Sequence, residues 1–172
     1  MFVWLASYPK SGNTLVRSML AAYFFSKDGI YNFDLLKNIN QFPNITLFQN
    51  LGIDIKNEKE VVKNYIKVQE SFNKKNSVQF LKTHSYLFNI ENNPFTDLKN
   101  SLGAIYIVRD PRNIITSLTH HYSLTYEEAY SKLIDDNASL LQKSSKNDHS
   151  NFTYLSSWAN HFKSWKNTNE FK

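Results

Sequence analysis

A chain of 172 residues, 41% hydrophobic, 15% aromatic and 20% charged, has the length of one ordinary domain and a globular composition, which excludes wholesale disorder. The absence of cysteine excludes disulfide scaffolds, Cys-ligated zinc, iron–sulfur clusters and thiol catalysis together. Twenty basic against 15 acidic residues give a net charge of +5, which favours an anionic ligand, although scattered surface lysine reads as solvated charge rather than a nucleic-acid face.

Phe2 to Ser7 is a short apolar run stopped by Tyr8-Pro9 and reads as a buried strand. After a tight loop, Leu15, Met19, Leu20, Tyr23 and Phe24 recur at helical spacing and predict a helix over 14–26. Residues 28–57 have no sustained period and read as irregular structure with short helices. Val61, Val62, Tyr65, Ile66, Val68, Gln69 and Phe72 predict a helix over 58–75, followed by a strand at 78–81 that ends in Lys82-Thr83-His84. A third strand, 104–108, runs into Arg109-Asp110-Pro111. Aspartate as N-cap and proline at the first helical position start a helix reaching about Tyr122. Thr125-Tyr126-Glu127-Glu128 is a capping box for a helix reaching roughly Gln142. A polar loop over 143–151 follows, and then a helix whose stripe is Tyr154, Leu155, Trp158, Phe162 and Trp165.

Apolar strands alternating with helices predict an α/β fold: a three-layer, mostly parallel sheet with helices on both faces and a strand-loop-helix phosphate-binding loop. No stretch approaches the ~18 apolar residues of a membrane span, and no basic leader, repeat or linker is seen. The expectation is one cytoplasmic domain with no membrane or nucleic-acid partner.

Ligands of such sheets sit beyond the carboxyl ends of the strands. In the first of these ends, Ser11, Gly12, Asn13 and Thr14 lead straight into a helix, so backbone N–H groups and the helix end can converge on an anion beside the mobile charge of Lys10. An ordinary turn with Ser11 or Thr14 as N-cap explains the loop alone equally well. In the second, Lys82 and His84 share one side of a strand. The histidine can act as a neutral base, while the commoner reading of a single strand-end histidine is structural. In the third, Arg109 leaves its strand at the ligand edge, with Ser117 two turns into the next helix, within reach of a phosphate. Arg112 reads as pairing with acidic neighbours. His120 and His121 face different directions and are not read as metal ligands.

These three segments in this order, Tyr8-Pro9-Lys10-Ser11-Gly12-Asn13-Thr14, Lys82-Thr83-His84 and Arg109-Asp110-Pro111-Arg112-Asn113 through Ser117, closely resemble the cytosolic-type sulfotransferases that use 3′-phosphoadenosine 5′-phosphosulfate (PAPS). The resemblance implies sulfuryl transfer without a metal. It implies that Lys10 to Thr14 hold the 5′-phosphosulfate, Lys10 neutralising the leaving oxygen. Arg109 and Ser117 would bind the 3′-phosphate. His84 would deprotonate the hydroxyl or amine of a small-molecule acceptor, with Lys82 near the transferring group. Tyr31, Phe33, Phe42, Phe48 and Tyr86 are candidate walls for that acceptor and equally readable as core.

Two departures stand out. Leu15 occupies a position where many members carry a tryptophan that stacks on adenine. The basic, glycine-containing segment that grips the 3′-phosphate in the family is not found, so the chain is expected to be the amino-terminal two-thirds of the domain. The rival readings are a P-loop nucleotide kinase or triphosphatase, disfavoured because lysine precedes the only glycine of the loop, and a non-catalytic nucleotide-binding fragment.

Overall fold

The computed structural model describes residues 1–73, 77–140, 149 and 152–168. In chain order the elements are β1 (Phe2–Ala6), α1 (Asn13–Phe25), a 3-10 helix (Phe33–Asn38), α2 (Ile45–Gln49), α3 (Glu58–Lys63), α4 (Tyr65–Phe72), β2 (Gln79–Thr83), β3 (Asn89–Ile90), β4 (Asn93–Pro94), β5 (Ser101–Tyr106), α5 (Pro111–Tyr122), α6 (Tyr126–Ile134), β6 (Ser139–Leu140), β7 (Thr153–Tyr154) and α7 (Trp158–Lys166).

The expected α/β architecture is present. Strands β2, β1 and β5 lie side by side in that order, all parallel. Ala6 stands opposite both Thr83 and Tyr106, so the three strands end level and deliver their following loops to one edge. Because successive side chains point to opposite faces, β1 sends Phe2, Trp4 and Ala6 into a core with Phe42, Phe48, Tyr65, Val68, Leu81, Phe95 and Trp165. Leu5 enters a second core with Ala21 and Ile39. A third cluster, Tyr8, Ile114, Leu118, Ala129, Leu133 and Leu155, packs α5 and α6 beside the strand ends.

Several boundaries differ from expectation, each for a local reason. The helix expected over 58–75 is two, because Asn64 between them donates its side-chain amide to Glu60 O at 2.8 Å and competes with the backbone ladder. The helix expected to reach Gln142 stops at Ile134, where Asp135 accepts from Asn137 N at 2.8 Å in an Asx turn, and β6 follows, paired antiparallel with β7. Tyr154 and Leu155 precede the last helix rather than joining it: Ser157 caps α7 by accepting from Asn160 N at 3.3 Å. The third strand spans 101–106 instead of 104–108. In α1 the contact side is not the large apolar stripe. Ala21 and Ala22 are buried, while Leu15, Met19 and Tyr23 are exposed, since the small side chains let the helix approach the sheet. Apart from His149, the polar loop expected over 143–151 lies outside the described residues.

Candidate active site at the three strand ends

The loop after β1 turns through two left-handed residues, Lys10 (φ 68) and Gly12 (φ 97). Glycine adopts this conformation without cost, whereas a lysine needs its surroundings to hold it there. Arg109 supplies that hold, its Nη1 donating to Lys10 O at 2.9 Å across 99 residues of sequence. Gly12 is also the N-cap of α1 and offers no side chain to the helix end, so the first amides of a 13-residue helix keep their hydrogens for another acceptor. The neighbouring Ser11 hydroxyl is buried with no hydrogen-bond partner among the described residues. Asn13 is turned inward: its Nδ2 donates to Leu5 O at 2.8 Å and to Ser7 Oγ at 3.1 Å. Its side chain therefore ties the start of α1 to the end of β1, and only its backbone faces outward with the rest of the loop.

His84, one residue beyond β2, places Nδ1 2.8 Å from Ser7 O and 3.1 Å from Ser7 Oγ. A backbone carbonyl can only accept, so Nδ1 carries the proton and Nε2 keeps its lone pair. Nε2 makes no hydrogen bond among the described residues. Burial, reinforced by the charge of Lys82, lowers the His84 pKa to about 3, and the ring is neutral at physiological pH. Burial and then the charge of Arg17 lower Lys82 to about 8. Asp110 does not offset these charges, because its carboxylate caps α5 at Arg112 N (2.9 Å) and is gripped by the Arg112 guanidinium. This is the pairing expected of Arg112, and it holds the Asp110 carboxyl at about 2.

Lys10, Gly12, Asn13, Thr14, Lys82, His84, Arg109 and Ser117 all line one cleft of about 430 Å³. Ser11, also expected there, is buried and is not among the residues lining the cleft. Among the described residues three cations and no carboxylate face this space, a field that favours a polyanion. His121 and Tyr122 also line the cleft. They were missed in the sequence, although His121 lies four residues after Ser117 and so shares its helix face. Ser7 was missed as well; nothing short of the fold brings it to the His84 ring.

A second cavity of about 490 Å³ shares Pro9, Tyr122 and Leu140 with the first and continues along Tyr8, Leu118, Leu124 and Leu155. The aromatic residues considered as acceptor walls lie elsewhere. Phe42 and Phe48 are wholly buried in the main core with Tyr86 packed against it, and Tyr31 and Phe33 stack edge-on at 5.6 Å outside both cavities. The reason is topological, since the irregular stretch after α1 covers the sheet instead of the strand ends. Among the described residues no three His, Asp or Glu side chains converge, and no helix is long and apolar enough to cross a membrane.

No curated protein matches the chain. The profile of one family, described as the sulfotransferase domain, matches residues 2–171, a span that contains every strand end and every residue of the cleft. The chain, with its parallel α/β sheet and the histidine and two lysines at the carboxyl edge of that sheet, thus belongs to the sulfotransferase domain family.

Proposed function

We propose that the chain transfers a sulfuryl group from PAPS to a hydroxyl or amine of a small molecule, with His84 as general base. The observation that carries this reading is the tautomer of His84. Its proton is committed to Ser7 O, which leaves the Nε2 lone pair unused, and His84 lines a cleft that bears three cations and no acid among the described residues. A base of that kind can take a proton from an acceptor while the cations take up charge on the donor.

The residues fit the donor. The partnerless Ser11 hydroxyl and the uncapped start of α1 suit the 5′-phosphosulfate, and Arg109 with Ser117 suits the 3′-phosphate. Bound PAPS supplies a sulfur centre whose bond to the bridging phosphate oxygen breaks as the bond to the acceptor oxygen or nitrogen forms. His84 Nε2 receives the acceptor's proton. Lys10 neutralises the departing phosphate oxygen, and Lys82 the nonbridging sulfuryl oxygens; in-line positioning does the rest, as in phosphoryl transfer. The negative charge of the donor also raises the basicity of His84, since it opposes the effect of Lys82. The adjoining cavity, walled by Tyr8, Leu118, Leu124 and Leu155, suits an acceptor with an apolar body.

Titration calorimetry with 3′-phosphoadenosine 5′-phosphate, the desulfated product, tests the site. Micromolar binding that Arg109→Ala weakens and ATP–Mg does not reproduce is expected; equal binding of ATP–Mg would favour a nucleotide kinase instead.

A further inference from the structure

His161 on α7 is wholly buried, lies outside the cleft, and touches all three strand ends from behind. Its Nε2 is 3.0 Å from His84 O, after β2. Its Nδ1 is 2.9 Å from the Tyr106 hydroxyl, the last residue of β5. Its ring meets Tyr8, which follows β1, edge-on with centroids 5.5 Å apart. The backbone carbonyl can only accept, so Nε2 donates; the neutral ring then accepts at Nδ1 from the tyrosine. Burial keeps the imidazole uncharged, with its pKa lowered to about 4, and both bonds persist at neutral pH.

The same helix grips the next residues of the loop. Trp165 Nε1 donates to Ser85 O at 3.0 Å, and Leu87 N donates to Ser164 Oγ at 3.0 Å. The backbone that carries the base is thus held from behind by α7 at His84, Ser85 and Leu87, while the ring itself is held from the front by Ser7 O.

We propose that His161 is a positioning residue for the transfer reaction: its Nε2–H fixes the backbone of His84 so that the His84 ring stays on Ser7 O with Nε2 aimed at the acceptor, and Tyr106, by donating to Nδ1, supports the tautomer that His84 O already requires. The role in transfer rests on the sulfotransferase reading; the orientation of the His84 ring does not. His161 donates to one segment of the site, accepts from the second and packs on the third, so it sets their mutual spacing as well as the base. A shift of about 1 Å at a reacting group costs on the order of 10²-fold in rate.

The test compares the wild type with His161→Phe, which keeps an aromatic ring and removes both hydrogen bonds, with His161→Gln, whose amide can still donate to His84 O, and with Tyr106→Phe, which removes the partner of Nδ1 and leaves the bond to His84 O. Imidazole nitrogen NMR of His84 reads the tautomer directly, and the turnover number and KM for PAPS read the consequence. Expected are a pure Nδ1–H state of His84 in the wild type and in Tyr106→Phe, and mixed tautomers in His161→Phe. Turnover should fall on the order of 10²-fold in His161→Phe with KM for PAPS little changed, and His161→Gln should recover most of the loss. If His161→Phe fails to fold, the His161 tautomer of the wild type, read by the same NMR, decides: an Nδ1–H state there would overturn the proposal. An unaltered His84 tautomer in folded His161→Phe would overturn it as well. Altered tautomers in a protein that never consumes PAPS would instead overturn the sulfotransferase reading and leave His161 as the residue that orients His84.

Discussion

At the residue scale, the chemistry of the cleft follows from which groups lack counter-charges. Lys82 is half-buried beside Arg17 and lies in no ion pair among the described residues, so the protein has lowered its pKa to about 8 rather than neutralise it. A bound polyanion reverses that shift by favouring the charged amine. Near pH 8 the free protein therefore holds a partly deprotonated Lys82, and on the proposed function binding of 3′-phosphoadenosine 5′-phosphate should draw in a proton. Calorimetry in buffers of different ionisation enthalpy should show net proton uptake at pH 8 that diminishes toward pH 6.5 and is absent in Lys82→Met. Uptake unaffected by Lys82→Met would separate the lysine from the anion. The reactive states of Lys82 and His84 were only partly legible in the chain. Their shared side of a strand followed from the period of two, but the tautomer depends on Ser7 O, 77 residues distant.

At the element scale, the loop between β1 and α1 depends on backbone conformation more than on side chains. Gly12 is left-handed with φ 97, and a Cβ built on it would meet nothing within 4 Å. Substitution therefore imposes strain without a clash. Gly12→Ala should lower stability by about 1 to 2 kcal/mol, read as a lower denaturant midpoint at unchanged slope, and should weaken product binding by tilting the start of α1. A midpoint equal to that of the wild type would show that the loop relaxes at no cost. The positions of β1, α1 and α5 were legible because their signals are local: an apolar run, a glycine before a helical period, and aspartate-proline. The start of α7 was misplaced because Tyr154 and Leu155 fit a helical stripe, yet the chain prefers to pair Thr153–Tyr154 with Ser139–Leu140 and restart at Ser157. A tertiary pairing overrode a local pattern.

Over the whole molecule, three level strand ends create the site and α7 closes its back, so stability and chemistry share residues. His84 and His161 have pKa values of about 3 and about 4, below the ordinary histidine value of about 6.5. Below pH 6.5 the unfolded chain binds protons that the folded one refuses. Their contribution to stability is therefore complete above about pH 6.5 and is lost progressively as pH falls from there toward the folded values. Denaturation midpoints should drop between pH 6.5 and 4.5, and the drop should be smaller in His161→Gln; an equal drop would mean that His161 is not held neutral by the fold. The family itself was legible from the three strand-end segments together, whereas the adjoining apolar cavity was not, because α5, α6 and β6 build it from residues with no common motif. Whether His84 is the base of a sulfuryl transfer is decided by incubating the wild type and His84→Ala with PAPS and a panel of phenols, alcohols and amines. Acceptor-dependent release of 3′-phosphoadenosine 5′-phosphate with a sulfated acceptor is expected in the wild type, and loss of that transfer in His84→Ala with product binding retained. Transfer that survives His84→Ala undiminished, or tight product binding without transfer to any acceptor, would contradict that role.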